Sequence, residues 1–178
     1  MDKRTPVNKT RALALCSVFS ALGVIIIYMG ALVEILDLSM AVVASLLVIV
    51  AVIELGGVYP WLVYAVTSAL SLLLLPNKFA AIVYFAFAGF YPILKASIER
   101  VKGLVCLVIK LVVFDFCLLA MFGVAKALAL ALVFEFSIWI IAILLNVTFV
   151  FYDFALTRLI TAYVYVWRKK LKIDKWKL

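Results

Sequence analysis

Apolar positions in this chain neither alternate nor gather on one helical face; they fill whole helix-length stretches, separated by short polar breaks. Such runs cover 12–33, 39–55, 59–75, 79–96, 103–122 and 136–167, which predicts six helices. A helix that is apolar on nearly every side has no face to turn to water, so its surroundings are a large protein core or lipid. The breaks have local causes. Glu34 and Asp37 interrupt the first run, Gly56-Gly57 turns the second into the third, Pro76-Asn77-Lys78 makes a turn, and 95–102 form a charged connection.

Composition decides between the two surroundings. Of 178 residues, 70% are hydrophobic, and the mean hydropathy is +1.31. A soluble domain of this length must show polar side chains over its surface. The expectation is therefore an all-α integral membrane protein, a single transmembrane domain over 1–178 with six transmembrane helices. The run 12–33 suits a retained span of roughly 20 residues better than the ~7–15 residue core of a cleaved signal.

Charge adds orientation. The formal net charge of +8 would suggest nucleic acid in a soluble protein, yet the cations sit at helix ends and in the tail. Lys3, Arg4, Lys9 and Arg11 precede the first span, Lys95, Arg100 and Lys102 lie between the fourth and fifth, and 168–178 is basic. Lys78 and Lys126 fall on the opposite side. The positive-inside bias then predicts a short cytoplasmic N-terminus, 1–11, and a cytoplasmic tail, 168–178, in the cell membrane. The segment 123–135 is too apolar for an exposed loop and is expected on the interface or as an extension of a helix. The last run would measure ~48 Å as a straight helix. It must tilt, bend or emerge, with Tyr163, Tyr165 and Trp167 as an interfacial belt.

Candidate chemistry is sparse. There is no histidine, and Cys16, Cys106 and Cys117 lie inside apolar runs, where packing explains them. No phosphate-binding Gly-x-x-x-x-Gly-Lys-Ser/Thr loop, His-Glu-x-x-His zinc site or Gly-x-Ser-x-Gly elbow is present, so no enzymatic activity, metal or cofactor is expected.

Three groups of residues stand out against the apolar background. Ala14, Ser17 and Ala21 make a small-residue stripe on the first helix, and Ala12, Cys16 and Ser20 make a second. Small residues let backbones approach closely, either within the bundle or against another membrane subunit. Lys110, Asp115, Asp153 and Arg158 lie inside the fifth and sixth spans. Counted from the inner ends, Lys110 and Arg158 fall at similar depths, as do Asp115 and Asp153, making a four-charge cluster geometrically possible. Cross-helix pairing is the structural reading and an ion path the functional one. Glu34, Asp37, Asn77, Lys78, Trp139 and Asn146 fall toward the outer side, where they either end loops in solvent or line a pocket for a small amphipathic ligand. Asn146 in particular needs a partner, because an amide in an apolar run is costly alone.

With these residues in view, the chain resembles the substrate-binding membrane subunits, or S components, of energy-coupling-factor vitamin transporters. The resemblance rests on size, six predicted spans, the first-helix segment Ala14-Leu15-Cys16-Ser17-Val18-Phe19-Ser20-Ala21 and the passage Glu54-Leu55-Gly56-Gly57-Val58-Tyr59-Pro60. The family's first-helix motif is Ala-x-x-x-Ala; here Ser17-x-x-x-Ala21 carries serine at the first position. The resemblance implies capture of a vitamin-like small molecule from outside and its release inside, driven by a coupling transmembrane subunit and two cytoplasmic ATPase subunits. It implies Ala14, Ser17 and Ala21 as the docking stripe and Glu34, Asp37, Asn77 and Asn146 as pocket residues, with riboflavin, thiamine, biotin and folate all open as ligands. Size, topology and charge bias also resemble the small six-span scaffolds of bacterial rod-shape assembly, and the four intramembrane charges leave an ion- or proton-conducting protein as a third reading.

Overall fold

The computed structural model describes residues 9–33, 35–99, 104–127 and 138–167, and every regular element among them is helical. In chain order these are α1 (Lys9–Leu32), α2 (Asp37–Glu54), α3 (Tyr59–Leu74), α4 (Phe79–Val83), α5 (Tyr91–Ile98), α6 (Leu104–Ala127) and α7 (Ile138–Ala162). A π-helical turn, Tyr84–Ala88, follows α4, and a second, Tyr163–Trp167, continues α7. Among the described residues, four stretches are long and apolar enough to cross a membrane: Lys9–Leu32, Asp37–Glu54, Phe79–Ile98 and Ala142–Tyr165. α3 is apolar too, but its 16 residues span about 24 Å, short of a ~30 Å hydrocarbon core.

The chain falls into two compact units, one within Met1–Val101 and one within Lys102–Lys177. The first holds α1 to α5. There α1 packs on both α2 and α3, burying Ala12, Cys16, Ser20, Gly23 and Ile27 along one stripe. The thiol of Cys16 lies 3.8 Å from the Tyr59 carbonyl, and seven residues on, Gly23 meets Thr67. A β-carbon at Gly23 would come within 3.0 Å of Thr67 Cγ2. Residue numbers thus rise together along α1 and α3, which run parallel. The connection that makes this possible is the α2–α3 turn, where Gly56 (φ 63°) and Gly57 (φ 59°) both take the left-handed conformation that side chains disfavour. α3 ends at Leu75, whose backbone is extended (ψ 136°), as the ring of the following Pro76 requires.

Two expectations gain detail here. The fourth predicted helix, 79–96, matches the apolar stretch Phe79–Ile98 but is not uniformly α-helical: α4 gives way to the π-helical turn, marked by the 2.8 Å bond from Gly89 N–H to the Tyr84 carbonyl five residues back. Pro92, which has no N–H to give, then stands in the first turn of α5, where none is needed. Lys95, expected at the junction of that helix with the charged connection 95–102, lies within α5 and is fully buried, bonded to Glu99 at 2.7 Å. At the amino end, α1 already includes Lys9 and Arg11, which leaves less of the expected N-terminal segment outside the helix. The apolar 123–135 region begins as helix, since α6 runs to Ala127; the rest of it lies outside the described residues.

The second unit contains α6 and α7. Lys110 and Phe114 on α6 meet Asp153 and Phe149 on α7, so the numbers rise on one helix as they fall on the other and the pair is an antiparallel hairpin. The Phe114 and Phe149 rings stack at 4.5 Å with an interplanar angle of 10°, and both side chains are buried.

Candidate functional site

Asp37 and Asn77 come together in the first unit although 40 residues separate them. Asp37 is the first residue of α2 and is 4% exposed. Asn77 follows Pro76 in the connection to α4, where its side-chain carbonyl accepts the Phe79 N–H (3.0 Å) and its amide donates to Asp37 Oδ2 (3.2 Å). One asparagine therefore clips two elements. The other carboxylate oxygen, Asp37 Oδ1, is shut off from solvent and has no partner. Lys78 does not supply one, because its ammonium donates to the carbonyls of Leu72 (2.7 Å) and Leu75 (2.5 Å). A cation there completes orphan carbonyls at the end of α3 and opposes the negative end of its dipole. Glu34, expected beside these residues, lies outside the described residues.

In the second unit the hairpin takes up the charges pairwise. Lys110 donates to both oxygens of Asp153, at 2.9 and 3.2 Å, and its side chain is 7% exposed. Asn146 donates to Asp115 Oδ1 at 2.9 Å and to the Ala142 carbonyl at 3.1 Å. Arg158, expected at a depth similar to that of Lys110, lies beside the Phe154 ring. Its guanidinium lies 5.0 Å from the centre of the ring, in cation–π range. Register decides the pairing: stacking of Phe114 on Phe149 sets which residues face each other, and it places Asp153 opposite Lys110. Trp139 lies in α7, and its side chain is outside the described residues.

The two small-residue stripes of α1 separate cleanly. Ala12, Cys16 and Ser20 are buried, while Ala14, Ser17 and Ala21 are exposed. Ser17 satisfies its own hydroxyl on the Leu13 carbonyl at 3.0 Å.

Two further features did not stand out in the sequence. An aromatic cluster surrounds the π-helical turn: Tyr64 donates its hydroxyl to the Phe85 carbonyl at 2.8 Å, and the two rings lie parallel at 6.3 Å. Nothing in the spacing announces that turn beyond the density of Tyr and Phe around Pro92. The second is a patch of hydroxyls on α3. Thr67 Oγ1, Ser68 Oγ and Ser71 Oγ are all shut off from solvent and have no hydrogen-bond partner. An unsatisfied buried hydroxyl costs about 1–3 kcal/mol, so three on one helix are a substantial local penalty. Here a signal was available, since positions 67, 68 and 71 share one arc of a helix.

Compared with known proteins, the chain matches no family model, no curated protein and no solved structure.

Proposed function

We propose that the chain is a multi-pass protein of the cell membrane, with both termini in the cytoplasm, that binds a small vitamin-like molecule as one subunit of a transport complex. Membrane residence is supported by the four long apolar stretches and by exposed side chains such as Phe116, Leu119 and Phe151, each at least 70% exposed, which lipid accommodates and water does not. The cations at the chain's start and end support the orientation.

The observation that carries the subunit reading is the division of α1 into two small-residue faces. One face is consumed by packing inside the first unit, and the Ala14, Ser17, Ala21 face is left outward. Close approach of a second helix is what such a face permits. On this reading the partner is a coupling membrane subunit that transmits work from two cytoplasmic ATPase subunits, and the chain performs no chemistry of its own, in keeping with its resemblance to S components. The buried carboxylate of Asp37, held by Asn77, supplies a polar anchor at one end of the first unit. The ion-conducting alternative draws less support, because Lys110 and Asp153 neutralise each other directly.

Ser17→Trp and Ala21→Trp test the docking face. Each is expected to leave the protein folded, with an unchanged melting curve, while reducing capture of membrane and ATPase subunits on affinity purification. Capture equal to wild type would remove the basis for docking through α1.

A further inference from the structure

Hydroxyls in an apolar helix have a partner within reach, the carbonyl four residues earlier. Five hydroxyls among the described residues use that partner, and Ser45 uses the Val42 carbonyl three residues earlier. Ser17 bonds to Leu13, Ser97 to Ile93, Thr148 to Leu144, Thr157 to Asp153 and Thr161 to Thr157, all through the carbonyl four residues earlier. Thr67, Ser68 and Ser71 depart from this pattern together, on one arc of α3. Thr67 faces α1 where Gly23 removes the side chain that would otherwise stand against it. Ser71 continues the same stripe one turn further on, close to the end of α3 at Leu74. All three are less than 3% exposed, so in the arrangement described they are closed off from bulk solvent.

We infer that the α1–α3 seam is a closed polar site, and that it opens from the Leu75 end to admit a neutral hydrogen-bonding oxygen, either water or the hydroxyl of a small solute. The class of occupant follows from the donors and acceptors. Each hydroxyl has both a proton to give and lone pairs to fill. A metal cation fills only lone pairs and a bare anion takes only protons, whereas water or an alcohol does both. No charged side chain accompanies the three hydroxyls on their stripe of α3, which agrees with a neutral occupant. Asp37 Oδ1, a lone acceptor beyond the same end of α3, would take a proton from the first such molecule to enter. This inference stands on the seam alone and does not depend on the transporter reading.

Thiol accessibility in liposomes tests it. In full-length protein carrying Cys16→Ala, Cys106→Ala and Cys117→Ala, Ser71→Cys is compared with Leu75→Cys for modification by neutral 2-hydroxyethyl methanethiosulfonate. Leu75 is equally buried and lies nearer the helix end, so depth alone would make it the faster site. The expected result is modification of Ser71→Cys about tenfold faster, reflecting local opening on the polar side, and a reduction of that rate when Thr67→Val is added. Glycerol that slows the reaction identifies a solute site, and a rate indifferent to glycerol identifies water. Equal or slower modification of Ser71→Cys overturns the inference. Where Ser71→Cys does not fold, Thr67→Cys is read against Leu75→Cys with the same criterion.

Discussion

The two units handle polar groups in opposite ways. In the α6–α7 hairpin the charges inside the apolar runs each have a neighbour: Lys110 has Asp153, Asp115 has Asn146, and Arg158 has the Phe154 ring. Its threonines bond back to their own helix. In the first unit small residues and glycine bring α1 close to α3, yet the hydroxyls enclosed between closely packed helices are left unpaired, as is one oxygen of Asp37. Local completion makes the hairpin's polar groups structural. Incomplete pairing is why the inferred polar site falls in the first unit and not in the hairpin.

The largest effect is expected from Asp153→Leu, which leaves the ammonium of Lys110 buried without a counter-charge. A loss of about 3 kcal/mol in detergent is expected, with most of it restored in the Lys110→Leu/Asp153→Leu double variant; a melting curve like wild type for the single change would show that the pair is not structural. Next comes Gly89→Ala. Its β-carbon would lie 2.6 Å from Tyr64 Cδ2 and 2.8 Å from Tyr84 Cε1, so overpacking should cost about 1–3 kcal/mol. The same change in the hairpin, Gly123→Ala, meets nothing within 4 Å and should gain up to about 1 kcal/mol from helix propensity. Equal responses at the two glycines would erase the difference in packing.

Thr67→Val removes an unsatisfied buried hydroxyl at nearly constant shape and should stabilise by about 1 kcal/mol. Thr157→Val, which removes an exposed hydroxyl bonded to Asp153, should stay within about 0.5 kcal/mol of wild type. If Thr67→Val destabilises instead, that hydroxyl has a partner in solution. A cost of about 0.6 kcal/mol is expected from Asn146→Leu, which loses the side-chain bond to Asp115.

Apolar run length made the helices legible in the sequence, because the run lengths follow directly from helix geometry. The boundaries 59–75 and Tyr59–Leu74 nearly coincide, since Gly56-Gly57 and Pro76 are unambiguous stops. The π-helical turn was hidden because its bond, from Gly89 N–H to the Tyr84 carbonyl, joins backbone groups that no residue type marks. The burial of Lys95 was hidden for a different reason: the predicted helix 79–96 includes it, but only packing reveals that a cation so near the helix end is enclosed. In the hairpin, the need of Lys110 and Asn146 for partners was readable from cost alone. Which partner each takes was not, because register depends on the stacking of Phe114 and Phe149. The hydroxyls of α3 were visible as an arc, but whether they bond to their own backbone is a matter of rotamers that no spacing encodes.

Native purification from membranes, followed by mass spectrometry of bound metabolites and co-purifying chains, bears most directly on the proposed role. A bound vitamin-like molecule together with a membrane subunit and ATPase subunits is the predicted result. A ligand-free protein accompanied by wall-synthesis or division proteins would contradict it and favour a scaffold.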